Sequence, residues 1–396
     1  MKNKLVPLTE VCEFKGGSQP PKSEWIKEVK DGYIRMLQIR DFTQKNVDPE
    51  FVKVKKGMNI AEEDDILIAR YGASIGKIVT GLSGTYNVAL IKAIPNLEVL
   101  SKKYLYYFLK SNIFQNFLLN VGSRAAQAGF NKEDLKSLNI YLPLLKEQDK
   151  IVLLLEKTVE LITKRQAQIE ALDELTQSVF LEMFGDPIEN SKGWKTGFLK
   201  NNTIKIGSGA TPRGGNKSYK DEGISLIRSM NVYNNSFQEK NLAFIDEEQA
   251  EKLNNVAVLP NDVLLNITGA SVARSCIVPN RVLPARVNQH VSILRVDENK
   301  LDYTFLNYLL TTDSFQKFLI KVATNNGATR EAITKRQIEE LKIIVPPLEL
   351  QRKFNENIKF IENQKKNIKK SLKKFDELYS SILQKAFKGE LFQEQA

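Results

Sequence analysis

The feature that most constrains this chain is an internal repeat of about 200 residues within its 396. Segments that start at Leu8, Tyr104 and Pro143 recur later in the chain at offsets of 191, 201 and 203 residues. Similarity that keeps the same order along the whole chain indicates a duplication. The two halves must therefore share one fold, and the second copy is slightly longer in its loops.

Each copy begins with a segment typical of a mixed α/β domain. Short β-rich runs, such as residues 65–70 and 88–91, are separated by turns that contain glycine. A stretch from Ser101 to about Leu119 then offers leucine and phenylalanine at helical spacing, which predicts one helix.

After Pro143 and Pro346 the pattern changes to apolar residues spaced alternately by four and three, the heptad repeat of a long pairing helix. A helix of about 33 residues would be about 50 Å long. Both patterns stop near a glycine, Gly185 or Gly389, as helix ends commonly do. The apolar residues predicted to pair the helices are Ile151, Leu155, Ile162, Ile169, Leu172, Val179, Phe354, Ile358, Ile361, Ile368, Leu372, Phe375 and Ile382.

The two heptad segments carry opposite charge. Residues 151–183 have a net charge of −3 and residues 354–386 a net charge of +4. Opposite signs favour a coiled coil between the two helices over self-pairing, although each helix packing on its own domain is the alternative. The predicted fold is α+β, a tandem duplication with domains at 1–145 and 187–345 and helical regions at 146–186 and 346–396.

Composition narrows the partners and the chemistry. Lysine and arginine number 58 against 47 acidic residues, a net charge of +11, so an anionic partner is expected, nucleic acid first. We expect a cytoplasmic protein with no membrane partner, because no apolar run reaches the roughly 18 residues of a membrane span and the start lacks a signal-peptide stretch. Cys12 and Cys276 lie far apart and His290 is the single histidine, so no metal site is predicted.

The sequence contains no complete catalytic motif among those we considered. Residues 72–77 imitate a phosphate-binding loop, but Tyr71 and Ile78 stand where that motif needs glycine and Ser or Thr. No GxGxxG unit opens a helix, and neither Pro-Pro pair belongs to the motif of amino-methyltransferases. We therefore predict no catalytic residues and a non-enzymatic chain.

The repeated order of a mixed domain, a Pro-Leu-x-x-x-Gln motif (residues 143–148 and 346–351) and a long helix resembles the DNA specificity subunit of type I restriction-modification enzymes. The helix ends at residues 175–186 and 378–391 are similar to the ends of that family's helical regions. The resemblance covers essentially the whole chain. One departure is Leu144, where the family more often has a second proline, as at Pro347.

The resemblance implies that each mixed domain is a target recognition domain reading one half of a bipartite, asymmetric double-stranded DNA target. It further implies that the two helices pair as an antiparallel coiled coil and set the spacer. It also implies that two adenine-methylating modification subunits bind along the helices and that motor-nuclease restriction subunits join them. Adenosylmethionine, ATP and magnesium would then belong to those partners, and this chain would hold no cofactor.

Residues that read DNA should be Arg, Lys, Asn, Gln and small hydroxyl residues on loops at equivalent places in both copies. The predicted set is Lys15, Ser18, Gln19, Lys22, Arg35, Gln38, Arg40, Arg70, Tyr71, Ser74, Lys77, Arg124, Gln127, Ser208, Thr211, Arg213, Asn216, Lys217, Tyr219, Arg228, Asn231, Asn266, Thr268, Arg274, Thr329 and Arg330.

Two other classes of protein compete with this interpretation. One is a DNA-binding scaffold or regulator outside restriction-modification, and the other is a self-sufficient DNA methyltransferase or nuclease. The absent catalytic motifs oppose the second class. The DNA target itself does not follow from the sequence, because base preference lies in loop geometry.

Overall fold

The structure, a computed structural model, describes residues 4–122, 129–212, 214–324 and 331–392. Packing divides the chain into two compact units, one made of residues 1–166 and 370–396 and the other of residues 167–369. Each unit therefore combines one mixed domain with part of each long helix. The predicted boundaries at 145, 186 and 345 divide the sequence by repeat, whereas packing divides each helix between the two units.

The first mixed domain consists of two four-stranded sheets and one two-stranded sheet. Its strands are β1 (Lys4–Pro7), β2 (Cys12–Gly16), β3 (Tyr33–Leu37), β4 (Phe51–Lys53), β5 (Ile60–Ala61), β6 (Ile66–Ala69), β7 (Ile78–Val79), β8 (Gly84–Tyr86), β9 (Leu90–Pro95) and β10 (Asn139–Leu142). One sheet has the order β2-β9-β6-β7 and is antiparallel throughout. The other has the order β4-β3-β8-β5, in which β3 and β8 run parallel. Strands β1 and β10 pair antiparallel and join the two ends of the domain.

The helices of this domain are α1 (Leu8–Val11), α2 (Ile39–Thr43), α3 (Lys102–Lys110) and α4 (Asn112–Gly122). The prediction of one helix from Ser101 to about Leu119 is wrong, because two helices meet at Ser111. The Ser101 hydroxyl caps the first of them by accepting from the Tyr104 backbone N–H at 3.2 Å. At the break, the buried Ser111 hydroxyl donates to the Phe108 carbonyl oxygen at 2.6 Å.

The first long helix is α5 (Leu145–Phe184), which begins directly after Pro143-Leu144. It ends at Gly185, whose φ of +75° is the left-handed conformation that glycine adopts most readily. The predicted termination at glycine is therefore confirmed.

The second mixed domain repeats the first sheet for sheet. Its strands are β11 (Thr196–Phe198), β12 (Thr203–Ser208), β13 (Ile224–Ile227), β14 (Val232–Tyr233), β15 (Ser236–Phe237), β16 (Ala243–Ile245), β17 (Ala257–Val258), β18 (Val263–Asn266), β19 (Ser275–Ile277), β20 (Ala285–Val287), β21 (Val291–Val296) and β22 (Lys342–Ile344). The orders β12-β21-β18-β19 and β16-β13-β20-β17 match the two four-stranded sheets of the first domain, and β11 pairs with β22 as β1 pairs with β10. The hairpin β14–β15 is an addition, standing after β13 where the first copy has α2 after β3.

The remaining helices are α6 (Glu247–Lys252), α7 (Tyr303–Leu310), α8 (Asp313–Thr324), α9 (Lys335–Glu339) and the second long helix, α10 (Leu348–Lys388). Helix α10 ends at Gly389, which has a φ of +78°. The duplication inferred from the sequence is thus confirmed by the topology.

In the first unit, the start of α5 packs against the end of α10. Ile151 and Leu155 share one core with Ile382 and Phe387. Further along the helices the Arg165 guanidinium lies 6.0 Å from the centroid of the Phe375 ring, so the two helices run antiparallel. The same core includes the mixed domain, because the Phe387 ring lies with its centroid 5.0 Å from that of Tyr104 and 5.4 Å from that of Phe108. The two sequence alternatives are therefore both realised, since the helices pair and also pack on the domain.

The second unit repeats this arrangement with the other two helix ends. Phe180 and Phe184 of α5 surround Phe354 of α10, with ring centroids 5.5 and 5.4 Å away. Phe305 of α7 joins the same cluster, 4.7 Å from Phe184. Antiparallel pairing follows here as well, because the end of α5 meets the start of α10.

A buried ion pair also joins the helices in the second unit. The Lys365 ammonium group is only 8% exposed and donates to Asp173 of α5 at 2.6 Å and to Glu362 of α10 at 2.8 Å. Burial alone would lower the pKa of Lys365, but the two carboxylates outweigh burial and raise it, so the lysine stays charged. The other seven lysines of residues 354–386 are exposed, so the charge difference between the helices does not produce a row of buried pairs.

The glutamine of the Pro-Leu-x-x-x-Gln motif has a structural role that is the same in both copies. Gln148 accepts from the Ser101 backbone N–H at 2.8 Å and donates to the carbonyl oxygens of Val99 and Pro143. Gln351 likewise accepts from the Asp302 N–H at 2.8 Å and donates to the carbonyl oxygens of Lys300 and Pro346. Each buried amide thus fastens the start of a long helix to the N-cap residue of α3 or α7.

Candidate nucleic-acid interface

One part of the predicted DNA-reading set lies at one end of the antiparallel sheet in each domain. In the first domain β2 and β6 end where β9 begins, because Gly16 pairs with Ile91 and Ala69 with Leu90. In the second domain β12 and β18 end where β21 begins. We call this edge the loop end of each sheet. Three loops converge there in each copy, and loops held by a rigid sheet are suited to recognition.

Glycine makes this convergence possible. A Cβ on Gly17 would lie 2.1 Å from the Tyr86 carbonyl oxygen, and one on Gly209 would lie 1.7 Å from that of Val287. Both distances are far inside van der Waals contact, so only glycine lets the chain leaving β2 or β12 cross the turn before β9 or β21. Each of these segments contains a second glycine, Gly16 or Gly207, and at both of these positions there is room for a side chain.

At the loop end of the first domain, Arg70 lies over the ring of Tyr71, 5.0 Å from its centroid, and donates to the Phe130 carbonyl oxygen at 3.2 Å. Tyr71 is 44% exposed and Val88, on the turn before β9, is 43% exposed. Ser18, Gln19 and Lys77 are exposed in the loops around them, Ser74 is half-buried, and Lys15 on β2 pairs with Glu13 at 3.3 Å.

A second group of predicted residues in the first domain surrounds two carboxylates. Glu50 accepts from Lys22 and Gln38, each at 3.0 Å, and from Arg40. Arg35 donates to Asp41 at 2.8 Å. Burial would raise the pKa of Glu50, but the hydrogen bonds from Lys22 and Gln38 outweigh burial and hold the pKa below its ordinary value.

These four side chains are thus preorganised by acidic partners that the sequence analysis did not single out. To contact DNA they would exchange bonds with Glu50 and Asp41 for bonds to phosphate or bases.

At the loop end of the second domain, four side chains form one chain of hydrogen bonds. Thr211 donates to the Gln289 side-chain oxygen, the Gln289 amide nitrogen lies 3.1 Å from Nε2 of His290, and Nδ1 of His290 lies 2.6 Å from the Thr268 hydroxyl. The prediction included Thr211 and Thr268 but omitted Gln289 and His290. The repeat alignment could have identified these two residues. At offset 201, Gln289 and His290 align with Val88 and Ala89, so two apolar residues of the first copy are replaced by polar residues in the second.

Two further arginines of the second domain lie over aromatic rings. Arg228 is 5.2 Å from the centroid of Tyr219 and Arg274 is 4.6 Å from that of Tyr233. Arg228 also donates to the Asn241 carbonyl at 2.5 Å. Stacking of this kind holds a guanidinium group in a fixed plane while leaving its edge for hydrogen bonds. Ser208 and Lys217 are exposed, and Asn216 lies in the turn Gly215–Ser218.

The prediction is wrong for two residues, because Asn231 and Asn266 are both 0% exposed and cannot contact DNA. Asn231 donates to the Gln238 carbonyl at 2.8 Å and accepts from the Arg228 N–H at 3.0 Å. Asn266 donates to the Ser229 carbonyl oxygen at 2.9 Å. Both amides hold loops together and face no solvent, so we remove them from the interface.

Five other predicted contacts lie outside the described residues: Arg124, Gln127, Arg213, Thr329 and Arg330.

The predicted helix-pairing residues all lie within the described part of the chain, and none of their side chains is exposed. Those near the helix ends, such as Leu155 and Phe354, are fully buried, whereas those near the middle, such as Ile162 and Leu372, are half-buried.

The described part of the chain contains no group of three or more His, Cys, Asp or Glu side chains arranged to hold a metal ion. None of its helices is long and apolar enough to cross a membrane.

Comparison with known protein families decides the family. The sequence profile described as "Type I restriction modification DNA specificity domain" matches residues 2–171 and again residues 192–377. The chain belongs to this family. The two matches also coincide with the two copies of the duplication.

Named relatives of the specificity family cover nearly the whole chain. The type I restriction enzyme MjaVIII specificity subunit of Methanocaldococcus jannaschii is 23% identical over 93% of this chain and 90% of its own length. The StySPI specificity subunit of Salmonella potsdam is also 23% identical, over 97% of this chain and 88% of its own.

Two solved structures share the fold. A chain from a structural study of complex assembly and conformational transition of the type I R-M system superimposes with a TM-score of 0.64 at 19% identity, covering 98% of both chains. The S subunit of a type I restriction-modification system from M. genitalium gives a TM-score of 0.55 at 15% identity, over 98% of this chain and 96% of its own.

Proposed function

We propose that this chain is the DNA-reading subunit of a type I restriction-modification enzyme, with each mixed domain reading one half of a bipartite, asymmetric double-stranded DNA target. The observation that carries the proposal is the presence of two complete specificity domains with the same sheet order and different side chains at their loop ends. A symmetric dimer reads a palindrome, whereas two unlike domains in one chain read two unlike half-sites.

The long helices would set the spacer between the half-sites and carry the partner subunits. Apolar side chains on their outer faces support this role. Leu153 of α5 is 52% exposed in the first unit, and Phe360 of α10 is 67% exposed in the second. Large exposed apolar side chains on a helix suit docking of further helices. We assign these faces to two adenine-methylating modification subunits, one for each copy, with restriction subunits joining the assembly.

The chemistry would reside on those partners. Adenosylmethionine would bind the modification subunits, and ATP with magnesium would serve the restriction subunits. Because its substrate is genomic DNA, we expect the assembly in the cytoplasm. The two competing functions, a scaffold or regulator and a self-sufficient methyltransferase or nuclease, predict different outcomes in the same experiment.

The test is to co-express the chain with a type I modification subunit and to map methylated adenine in the host genome by long-read sequencing. We expect one asymmetric, bipartite sequence to be methylated. Replacing residues 1–140 by those of a relative should change one half of that sequence and leave the other half and the spacer unchanged. The matched variant replaces residues 187–345 and should change the opposite half.

A change in both halves after one replacement would contradict the division of labour between the domains. Methylation by the chain without a modification subunit would favour the self-sufficient enzyme. A complex that assembles but methylates no defined sequence would favour the scaffold.

A further inference from the structure

The turn between β20 and β21 projects at the loop end of the second domain. Gln289 is exposed and His290 is half-buried beside it. The turn is anchored from within, because the His290 backbone N–H donates to the Asn288 side-chain oxygen at 3.0 Å and Asn288 is buried. An exposed tip on a buried anchor keeps a fixed position, as a residue that reads a base must.

Three loops hold the side chains of this tip. Thr211 comes from the loop after β12, Thr268 from the loop after β18, and Gln289 and His290 from the turn. The distances fit the tautomer of neutral His290 that carries its proton on Nδ1. In that tautomer the Gln289 N–H donates to Nε2 and the Nδ1–H donates to Thr268, so the donor roles run in one direction from Thr211 to Thr268.

This network fixes Gln289 without using all of its hydrogen-bonding capacity. A side-chain amide has two N–H donors and an oxygen with two lone pairs. The network uses one donor and one lone pair, so one of each is left for a ligand. A donor and an acceptor on one planar group is the combination that recognises the N6 and N7 edge of adenine in the major groove.

The equivalent turn of the first domain has the opposite chemistry. Val88 and Ala89 stand where the second copy has Gln289 and His290, and Tyr71 stands in place of Thr268. Tyr71 and Thr268 occupy the same backbone position, since each forms an isolated bridge after its strand, with Gly129 and Ala332 respectively. Apolar side chains such as an exposed valine contact the C5-methyl group of thymine and offer no hydrogen bond.

We propose that this turn is the specificity-determining element of each domain, with Gln289, positioned by His290, Thr211 and Thr268, reading an adenine in one half-site and Val88 reading a thymine methyl group in the other. The inference rests on the proposed function and adds to it the residues that read a base. His290 is a positioning residue, because it acts through Gln289.

The test uses the complex of the full chain with its modification subunit and a plasmid library in which both half-sites are randomised. Methylation is read by sequencing. The double substitution Gln289→Val with His290→Ala gives the second domain the residues of the first, and Val88→Gln with Ala89→His does the reverse. We expect each exchange to change the preference at one base pair by about ten-fold or more, in the half-site of the altered domain alone.

Three further variants separate base reading from folding. Gln289→Glu keeps the volume but removes the amide donor, so it should abolish the preference for adenine at that base pair. Asn299→Ala alters an exposed residue beyond the other end of β21 and should leave the methylated sequence unchanged. His290→Ala alone should weaken discrimination at the base pair read by Gln289 without replacing adenine by another base.

The results distinguish this inference from the proposed function. If the unaltered complex methylates no bipartite sequence, the proposed function fails. If it does, and Gln289→Glu and both exchanged turns keep the unaltered preference at every base pair, this inference alone is overturned. A general loss of methylation by the Gln289 variants, with no change of preference in the residual product, would also overturn it, since it would indicate a structural role.

Discussion

The two mixed domains are alike where they are buried and different where they are exposed. Gln148 and Gln351 make the same three kinds of hydrogen bond, and Gly17 and Gly209 make the same close approach. Val88 and Ala89 of the turn before β9, by contrast, are apolar, and their equivalents Gln289 and His290 are polar. Packing and the hydrogen bonding of buried backbone groups constrain the buried glutamines and glycines in both copies. The exposed turn residues are constrained by the ligand instead.

The ion pairs of the two sheets show that one buried feature can differ in its details between the two copies. Asp262 is 0% exposed and accepts two hydrogen bonds from Arg295, at 2.7 and 2.8 Å. Asp65, its equivalent, is 12% exposed and pairs with two lysines, Lys92 and Lys102. The carboxylate is kept in both copies, because it also caps the preceding turn, while its cationic partner is supplied from different positions.

The largest effect is expected from filling the close approach shared by both domains. Gly17→Ala and Gly209→Ala should each destabilise their own unit by more than about 3 kcal/mol, since the new Cβ meets backbone that cannot move aside. Gly207→Ala is the control, because a Cβ there has open space. Urea unfolding followed by hydrogen exchange resolves the two units, and equal stability of Gly209→Ala and Gly207→Ala would contradict the shared framework.

The next effect distinguishes the two ion pairs. Arg295→Met should destabilise the second unit by about 2–3 kcal/mol, because it leaves the buried Asp262 carboxylate without its charged partner. Lys92→Met should cost the first unit about 1 kcal/mol, since Asp65 keeps Lys102 and some contact with water. Arg281→Met removes an exposed pair with Glu239 and is the control. Equal costs for Arg295→Met and Lys92→Met in thermal unfolding would remove this difference between the copies.

A smaller effect concerns pH. Burial would raise the pKa of Asp65, but hydrogen bonds from Lys92, the Glu62 backbone and Lys102 outweigh burial and lower it. A lowered pKa stabilises the folded state above the unfolded pKa of about 4, and this contribution is lost as the pH falls below it. The first unit of the unaltered chain should therefore exceed Asp65→Asn in stability at pH 6, and the difference should shrink as the pH falls below about 4. A difference that is constant from pH 6 to pH 3 would refute the electrostatic origin.

The smallest expected effect concerns Gly76 of the first copy, whose equivalent in the second copy is an alanine. Gly76 has a φ of +77°, and its equivalent Ala273 has a φ of +72°, a conformation that costs a residue with a side chain about 1–2 kcal/mol. Ala273→Gly should therefore change the stability of the second unit by less than about 1 kcal/mol, because relief of the left-handed backbone is offset by added chain entropy and by the loss of a buried methyl group, whereas Gly76→Ala should destabilise the first by about 1–2 kcal/mol. Equal losses for the two substitutions, measured by thermal unfolding, would contradict this account of the two turns.

Much of the architecture was predictable because it recurs. The repeat predicted two equal domains, and the heptads predicted two long helices that end at glycine, since apolar spacing and left-handed glycine act locally. The break at Ser111 was missed because its residues suit a helix by themselves, and the bend depends on a capping bond and on packing around it. The predicted DNA contacts were chosen by residue type, which does not distinguish an asparagine on a loop surface from Asn231 or Asn266 inside the fold.

The sequence by itself determined the duplication, the α+β class and the absence of familiar catalytic motifs, because order, periodicity and composition are properties of the chain. Only the tertiary structure decided which polar residues are buried, which carboxylates hold Lys22 and Arg40, and that Thr211, Thr268, Gln289 and His290 meet at one loop end. Those residues are up to 79 positions apart, and only antiparallel sheet pairing brings three such distant loops together.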